Sequence, residues 1–228
     1  MVRLPFTLRG AVPERSAMPP DSEEEIAGLV ARLQSGDQAA LGELFDCHRG
    51  KLRRMVELRL DHRLAGRVSA SDVLQEAYID ALKRVEHYFA KPGQPFFGWL
   101  RLVVGQRIAD VHREHLAGKR DAGREVGMNR GGQGADSACL AAVLLGNLSS
   151  PSQAAQRNET FAMLEEALRQ MDELDREVLA LRHFEELSNT ETADILGIQP
   201  AAASKRYVRA LARLKEILEG IPGFNHSR

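Results

Sequence analysis

The chain has 228 residues, of which 43% are hydrophobic and 28% charged, with a formal net charge of −1. That length accommodates two small domains or one with long appendages, and the composition excludes a membrane protein, because no apolar run approaches the roughly 18 residues a span needs. The N-terminal MVRLPFTLRGAVPERSAMPP lacks the unbroken apolar stretch of a secretion signal, which predicts a cytoplasmic protein, and Cys47 and Cys139 lie outside any CxxC pair, which argues against a disulfide framework or a zinc site.

Apolar residues recur at intervals of three and four, no stretch alternates with period two for long, and aromatics are only 5%. The expected fold is therefore all-α. Residues 1–20 read as a disordered tail. A first helix is predicted over Glu23–Gln34, with Ile26, Leu29, Val30 and Leu33 on one face and Gly36 closing it. Asp37 caps a second helix with Leu41, Leu44, Phe45, Leu52 and Val56 inside and basic residues outside. Ser69 and Asp72 form a capping box for a third, whose stripe is Val73, Leu74, Ala77, Ala81, Leu82 and Val85. It stops near Phe89, since Lys91-Pro92-Gly93-Gln94-Pro95 cannot continue a helix. A fourth runs from Phe96 to about His115, with Trp99, Leu100, Val103, Ile108 and Val111 inward.

Beyond residue 120 the character changes. Residues 121–158 are rich in glycine and serine, with only a short apolar patch at Leu140 to Leu145, and read as a flexible linker between two small helical domains, 21–120 and 159–220. Helical periodicity resumes at Phe161, with four helices expected before Gly220 and a tail over 221–228.

The most informative segment is Leu187 to Lys215. Ser188 and Glu191 make a second capping box, Ala193 and Gly197 leave room for a tight turn, and Pro200 sits in the first turn of the following helix, where its missing N–H costs nothing. These features describe a helix-turn-helix. On the second helix Ala203, Tyr207, Ala210, Leu211 and Leu214 face inward, leaving small and basic residues to enter a major groove. Charge is segregated along the chain: Glu159 to Asp194 holds eleven acids against three arginines, Ala201 to Lys215 five bases and no acid, and Arg49 to Arg67 seven bases against two acids. Basic stripes of this kind are the electrostatic footprint of a DNA-binding protein.

The segments SDVLQEAYIDALKRV, FFGWLRLVVGQRIADVHREH and LDREVLALRHFEELSNTETADILGIQPAAASKRYVRALARLK resemble the second and fourth conserved regions of the extracytoplasmic-function (group IV) sigma factors. The resemblance covers roughly residues 23 to 120 and 159 to 219, and LRLDHRLAGRVSASD and SKRYVRAL look most like the planctomycete-type variants. It implies a sigma factor that binds core RNA polymerase and directs promoter recognition, melting and transcription initiation. By this resemblance Asp72, Gln75 and Glu76 meet the clamp helices of the largest polymerase subunit. Tyr88, Phe89, Phe96, Phe97 and Trp99 hold bases of the upstream melted element, with Arg101, Gln106, Arg107 and Arg113 beside them. Stacking of this kind contributes about 1–3 kcal/mol per base, although Trp99 and one of the phenylalanines also suit the core. Phe97 and Gln106 depart from the polar or basic residue and the asparagine common there. The helix from Pro200 reads the distal element near minus thirty-five through Ser204, Lys205, Arg206 and Arg209, with Arg213 on phosphates. Many relatives are held by an anti-sigma protein, a further partner the resemblance implies.

No cofactor or metal is expected: His112 and His115 lack a third ligand nearby, Cys47-His48 is not a nucleophile and base pair, and no phosphate-cradling glycine motif occurs, so the protein is not read as an enzyme. The competing reading is a stand-alone helix-turn-helix regulator that binds duplex operator DNA without polymerase.

Overall fold

The computed structural model describes residues 23–64, 66–90, 93–116, 137–146 and 154–221, and these are helical with no strand among them. Nine α-helices occur among the described residues: α1 (Glu23–Gln34), α2 (Ala39–Arg59), α3 (Ala70–Phe89), α4 (Phe96–Leu116), α5 (Ser137–Gly146), α6 (Ala154–Arg169), α7 (Glu173–Leu179), α8 (Asn189–Leu196) and α9 (Pro200–Gly220). The all-α expectation holds. The N-terminal tail and most of the glycine-rich segment lie outside the described residues.

The chain divides into two compact units, Met1–Cys47 and His48–Arg228. In the first, α1 buries Leu29 and Leu33, and the start of α2 buries Ala40, Leu41, Leu44 and Phe45. Gly36 takes a left-handed conformation at φ 97° between the helices. Arg32 then reaches across this turn to Asp37 at 2.7 Å and Glu43 at 3.0 Å.

In the second unit α3 packs on α4 and buries Val73, Leu74, Ala77 and Ala81, while α4 buries Phe96, Phe97, Trp99, Leu100, Val103, Val104, Ile108 and Val111. Gly105 of α4 faces Met55 of α2, and a Cβ there would meet the Met55 methyl in ordinary contact at 3.4 Å. Two residues assigned to the α3 core stripe are not fully inside: Leu82 is exposed and Val85 half-buried.

The segment expected as a linker contains α5. Its sequence SACLAAVLLG is apolar all round, and Leu140, Ala141, Leu144 and Leu145 are buried, in a cluster that α6, α7 and α9 complete. A helix this apolar must be covered to be stable in water. The next helix, α6, starts at Ala154, a turn earlier than its periodicity indicated. A widened π turn over Ala180–Phe184 follows α7, with the Glu185 N–H donating to the Ala180 carbonyl at 2.8 Å.

Both predicted capping boxes form, Ser69 with Asp72 and Ser188 with Glu191. Gly197 closes α8 in the left-handed region at φ 64°, the Ile198 N–H donates to the Ala193 carbonyl at 3.0 Å, and Pro200 opens α9. A side chain at a left-handed position costs roughly 1–2 kcal/mol, so Gly197→Val is expected to lower unfolding stability by about that much; an unchanged denaturant midpoint would show that the turn relaxes to a different conformation.

Candidate polymerase and nucleic-acid interfaces

Helix α3 presents two opposite faces. The buried stripe leaves Asp72, Gln75, Glu76, Ile79, Leu82, Lys83 and Glu86 on the other side, spaced at three and four residues and therefore on one surface. Ile79 is 44% exposed and Leu82 36%. Sequence reasoning named the polar members Asp72, Gln75 and Glu76 and missed the two apolar ones. An isoleucine off the core stripe was the available signal. Asp72 has a local task as well: it accepts hydrogen bonds from the Ser69 backbone N–H at 3.0 Å and the Ser69 hydroxyl at 2.7 Å, and these hold its carboxyl below the usual carboxylate range. Glu76 pairs with Arg107 of α4, and Arg107 also lies 3.7 Å from Glu114.

The aromatic residues around the Pro/Gly loop do form a cluster. The Tyr88 ring centroid lies 5.0 Å from Phe89, 5.3 Å from Phe96 and 5.2 Å from Trp99, and Phe96 lies 5.3 Å from Trp99. Phe96, Phe97 and Trp99 are buried, whereas Tyr88 and Phe89 are half-buried. The three buried rings occupy the first turn of α4, where the chain must cover its own core: His48 packs on Phe97 at 5.0 Å, and the Lys51 ammonium lies 5.6 Å from the same ring. Their faces meet protein, which leaves Tyr88 and Phe89 as the rings at the surface.

The cations expected beside them also divide. Arg101 is 2% exposed and bound to Glu185, so its expected place on a phosphate is corrected: it is an interior residue. Gln106 is exposed and accepts a hydrogen bond from Arg84. Arg113 is exposed and pairs with Asp110 one turn earlier.

On α9, Ser204, Lys205 and Val208 face outward, Val208 at 65% exposure. Arg206 and Arg209 instead converge on Asp175 at the start of α7, at 2.8 Å for Arg206 and at 2.8 and 2.7 Å for Arg209. Burial pushes the Asp175 carboxyl up, but the hydrogen bonds from Arg209 and Arg206 outweigh it and hold the group below its ordinary range. The two arginines therefore fasten α9 to α7. Arg213 pairs with Glu216 at 2.9 Å. Asn189 donates to the Pro200 carbonyl at 2.8 Å, which joins α8 to the start of α9.

Residues 23–219 match the family model described as ECF sigma factor. The chain belongs to the ECF sigma factor family. Among curated relatives, ECF RNA polymerase sigma factor SigD of Mycobacterium tuberculosis is 29% identical over 196 residues, covering 85% of this chain and 84% of its own length. RNA polymerase sigma factor CnrH of Cupriavidus metallidurans is 26% identical over 209 residues, covering 89% and 97%. Among solved structures, CnrH in complex with the cytosolic domain of CnrY matches 84% of this chain and 95% of that one, at 22% identity and a TM-score of 0.47. This ECF sigma factor directs transcription initiation by RNA polymerase, and it acts by binding rather than by catalysis. Family membership sets aside the stand-alone regulator.

The sigma factor also contains a seam of charge that sequence reasoning did not foresee. Arg59 of α2 donates to Glu185 at 2.8 Å and to Glu177 at 2.5 Å. Arg101 of α4 donates to both oxygens of Glu185, at 3.3 Å for Oε1, and approaches Glu177 at 3.5 Å. Glu185 is fully buried, and the guanidiniums of Arg59 and Arg101 hold its carboxyl below the ordinary range against the upward push of burial. Toward the surface Lys51 pairs with Glu191 at 2.6 Å, and Arg54 with Glu186 at 3.3 Å. The acidic and basic segments seen in the sequence thus partly neutralise each other: Lys51, Arg54 and Arg59 of the Arg49–Arg67 stripe are paired with the acidic segment, while Arg49, Arg53, Arg63 and Arg67 are exposed.

Removing one partner of a buried ionic cluster costs about 3–5 kcal/mol. Glu185→Ala is expected to lower unfolding stability by about that amount, while Glu216→Ala on the surface changes it by less than about 1 kcal/mol; equal small effects in denaturant titrations would show that the seam is not formed in solution. A pH dependence follows from His48, which burial and then the Lys51 charge lower from 6.5 to about 4. A depressed folded-state pKa gives stability that is complete above the unfolded value and lost as pH falls through the folded one. Stability should therefore decline from pH 6.5 toward pH 4, and His48→Phe should flatten that decline. An unaltered slope in the variant would assign the loss to other groups.

Proposed function

We propose that residues 21–120 form the half of this sigma factor that docks on polymerase and takes the melted element, and that residues 159–220 form the half that reads the distal element. The observation carrying this reading is the exposed face of α3, where the apolar Ile79 and Leu82 stand among Asp72, Gln75 and Glu86 opposite a fully buried stripe. An apolar centre with a polar rim is the composition of a protein–protein interface. The clamp helices of the largest polymerase subunit are the partner that this face fits within the family. Tyr88 and Phe89 at the end of α3 stack on unpaired bases, with Gln106, Arg107 and Arg113 of the neighbouring α4 supplying polar contacts. Ser204, Lys205 and Val208 enter the major groove of the distal element, Val208 matching the methyl group of thymine. Arg206 and Arg209 support that surface from the side through Asp175.

Three finer points rest on sequence and family alone. The planctomycete-type subgroup is carried by LRLDHRLAGRVSASD and SKRYVRAL. A cytoplasmic location follows the polymerase; consistent with it, no helix among the described residues is long and apolar enough to cross a membrane. An anti-sigma protein is a further partner by analogy with CnrH, which forms a complex with the cytosolic domain of CnrY.

Transcription reconstituted from purified chain and core polymerase, with start sites mapped, tests the whole reading. Ile79→Glu is expected to weaken polymerase association at least tenfold with the helical circular dichroism unchanged, whereas unaltered association would move the docking face elsewhere. Lys205→Ala is expected to cost about 1–3 kcal/mol at particular base pairs of the distal element. A uniform loss across promoter sequences would make Lys205 a phosphate contact instead.

A further inference from the structure

Asp175 accepts from two arginines of α9 at once. It lies in the first turn of α7, only 6% exposed, and its own N–H donates to the Asp172 carboxylate at 3.2 Å, which also caps Leu174 at 3.0 Å. Arg206 donates from Nη1 to Oδ1 at 2.8 Å, whereas Arg209 donates from Nε to Oδ2 at 2.8 Å and from Nη2 to Oδ1 at 2.7 Å. Arg209 thus gives Asp175 one whole edge of its guanidinium. Even so, 61% of its side chain stays exposed, against 31% for Arg206.

The bonded edge fixes the rest of the group. A guanidinium is planar and carries five N–H donors. Asp175 takes the side edge, Nε with Nη2, which leaves the end edge, Nη1 with Nη2, as a parallel pair of donors whose plane and direction the carboxylate sets. Among the described residues, the bonds of Arg209 are those two to Asp175. Long helical side chains lean toward the N-terminus, and the Oδ1 atom shared with Arg206 draws the Arg209 head group back over the turn that carries Lys205. It therefore stands on the outward strip of Lys205 and Val208.

We propose that Asp175 is a positioning residue for promoter reading: it holds Arg209 so that the end edge of the guanidinium donates to O6 and N7 of a guanine in the distal element. The inference rests on the assignment of residues 159–220 to that element given under Proposed function. O6 and N7 are two acceptors in one plane on the major-groove edge, which a planar fork meets with two bonds. Phosphate oxygens are disposed tetrahedrally and accept from many directions, so a plane fixed in advance serves a base edge better. A side chain held before binding also loses less rotamer freedom on the DNA. Lys205, one turn before Arg209, repels a free guanidinium, and Asp175 offsets that repulsion too.

The test uses core polymerase reconstituted with the full chain, on promoter templates in which each base pair of the distal element is varied in turn. The wild-type chain is expected to favour guanine at one position, and Arg209→Ala to lower that preference about tenfold. Asp175→Ala is expected to lower it at the same position while preferences elsewhere persist, and the double variant to match Arg209→Ala alone. If Asp175→Ala loses helix content by circular dichroism, Asp175→Asn gives the same readout, because its amide offers one acceptor where the fork needs two. Arg209→Lys, which keeps the charge and lacks the fork, should lose the preference like Arg209→Ala. An unchanged preference in a folded Asp175 variant makes Arg209 independent of the acid and overturns the proposal. An equal loss at every position also overturns it, since a plain α7–α9 strut or a phosphate contact acts uniformly. So does a base other than guanine at the position Arg209 reads. Failure of the underlying assignment is distinct: the wild-type chain would then be indifferent to every distal base pair, whereas failure of the proposal alone leaves preferences that Lys205→Ala still changes.

Discussion

A carboxylate withdrawn from water must have its oxygens filled by donors, and Glu185 meets this requirement with Arg59 from α2 and Arg101 from α4. Each guanidinium is itself buried and also reaches Glu177, so two acids and two cations are satisfied together. The backbone around Glu185 is shaped to deliver it: a π turn over Ala180–Phe184 widens the end of α7, and Glu186 then adopts a left-handed φ of 58°, a conformation L residues hold only when their surroundings impose it. Extra turns of this type inside helices recur at functional positions. Arg182 donates to the Leu187 carbonyl at 3.2 Å, and the Leu187 N–H to the Leu181 carbonyl at 2.9 Å, so the bend is held on both sides.

The same economy of charge governs the helix-turn-helix. Asp175 pairs with both Arg206 and Arg209, which leaves the trio one net positive charge, and so ties α7 to α9. Arg182 packs over the Tyr207 ring at 5.0 Å, a second tie between the bend and α9. Ser204, Lys205 and Val208 face outward on α9, and Arg209, although paired with Asp175, stays exposed beside them. A near-neutral chain can therefore belong to this family: many of its cations are paired with its own carboxylates, Arg59 and Arg101 inside and others at the surface.

Helix α3 shows the opposite treatment of surface. Its cap is satisfied locally by Ser69 and Asp72, its inner stripe is closed against α4, and Glu76 is tethered to Arg107. The exposed Ile79 and Leu82 gain nothing from this fold. Together they form the apolar centre of the face that we propose docks on polymerase.

Local rules determined much of this protein from its sequence. Helix periodicity located α1, α3, α4 and α9; the Ser69 and Ser188 capping boxes, Gly197 and Pro200 set the ends that matter for the helix-turn-helix; and the ordered motifs identified the family. These succeed because caps, turns and amphipathic faces depend on residues within one or two turns of each other. Tertiary structure alone decided which charges face solvent. Arg101 resembles any surface arginine on α4 until Glu185, 84 residues later, is seen beside it, and the pairing of Arg206 and Arg209 with Asp175 is equally hidden in the sequence. The burial of Trp99 and one phenylalanine was legible in the helix pattern, but the burial of both Phe96 and Phe97, and the covering of the apolar α5, depend on neighbours distant in sequence. An ion pair has no periodicity and no required spacing, so its partners are specified only when the folded chain brings them within hydrogen-bonding distance.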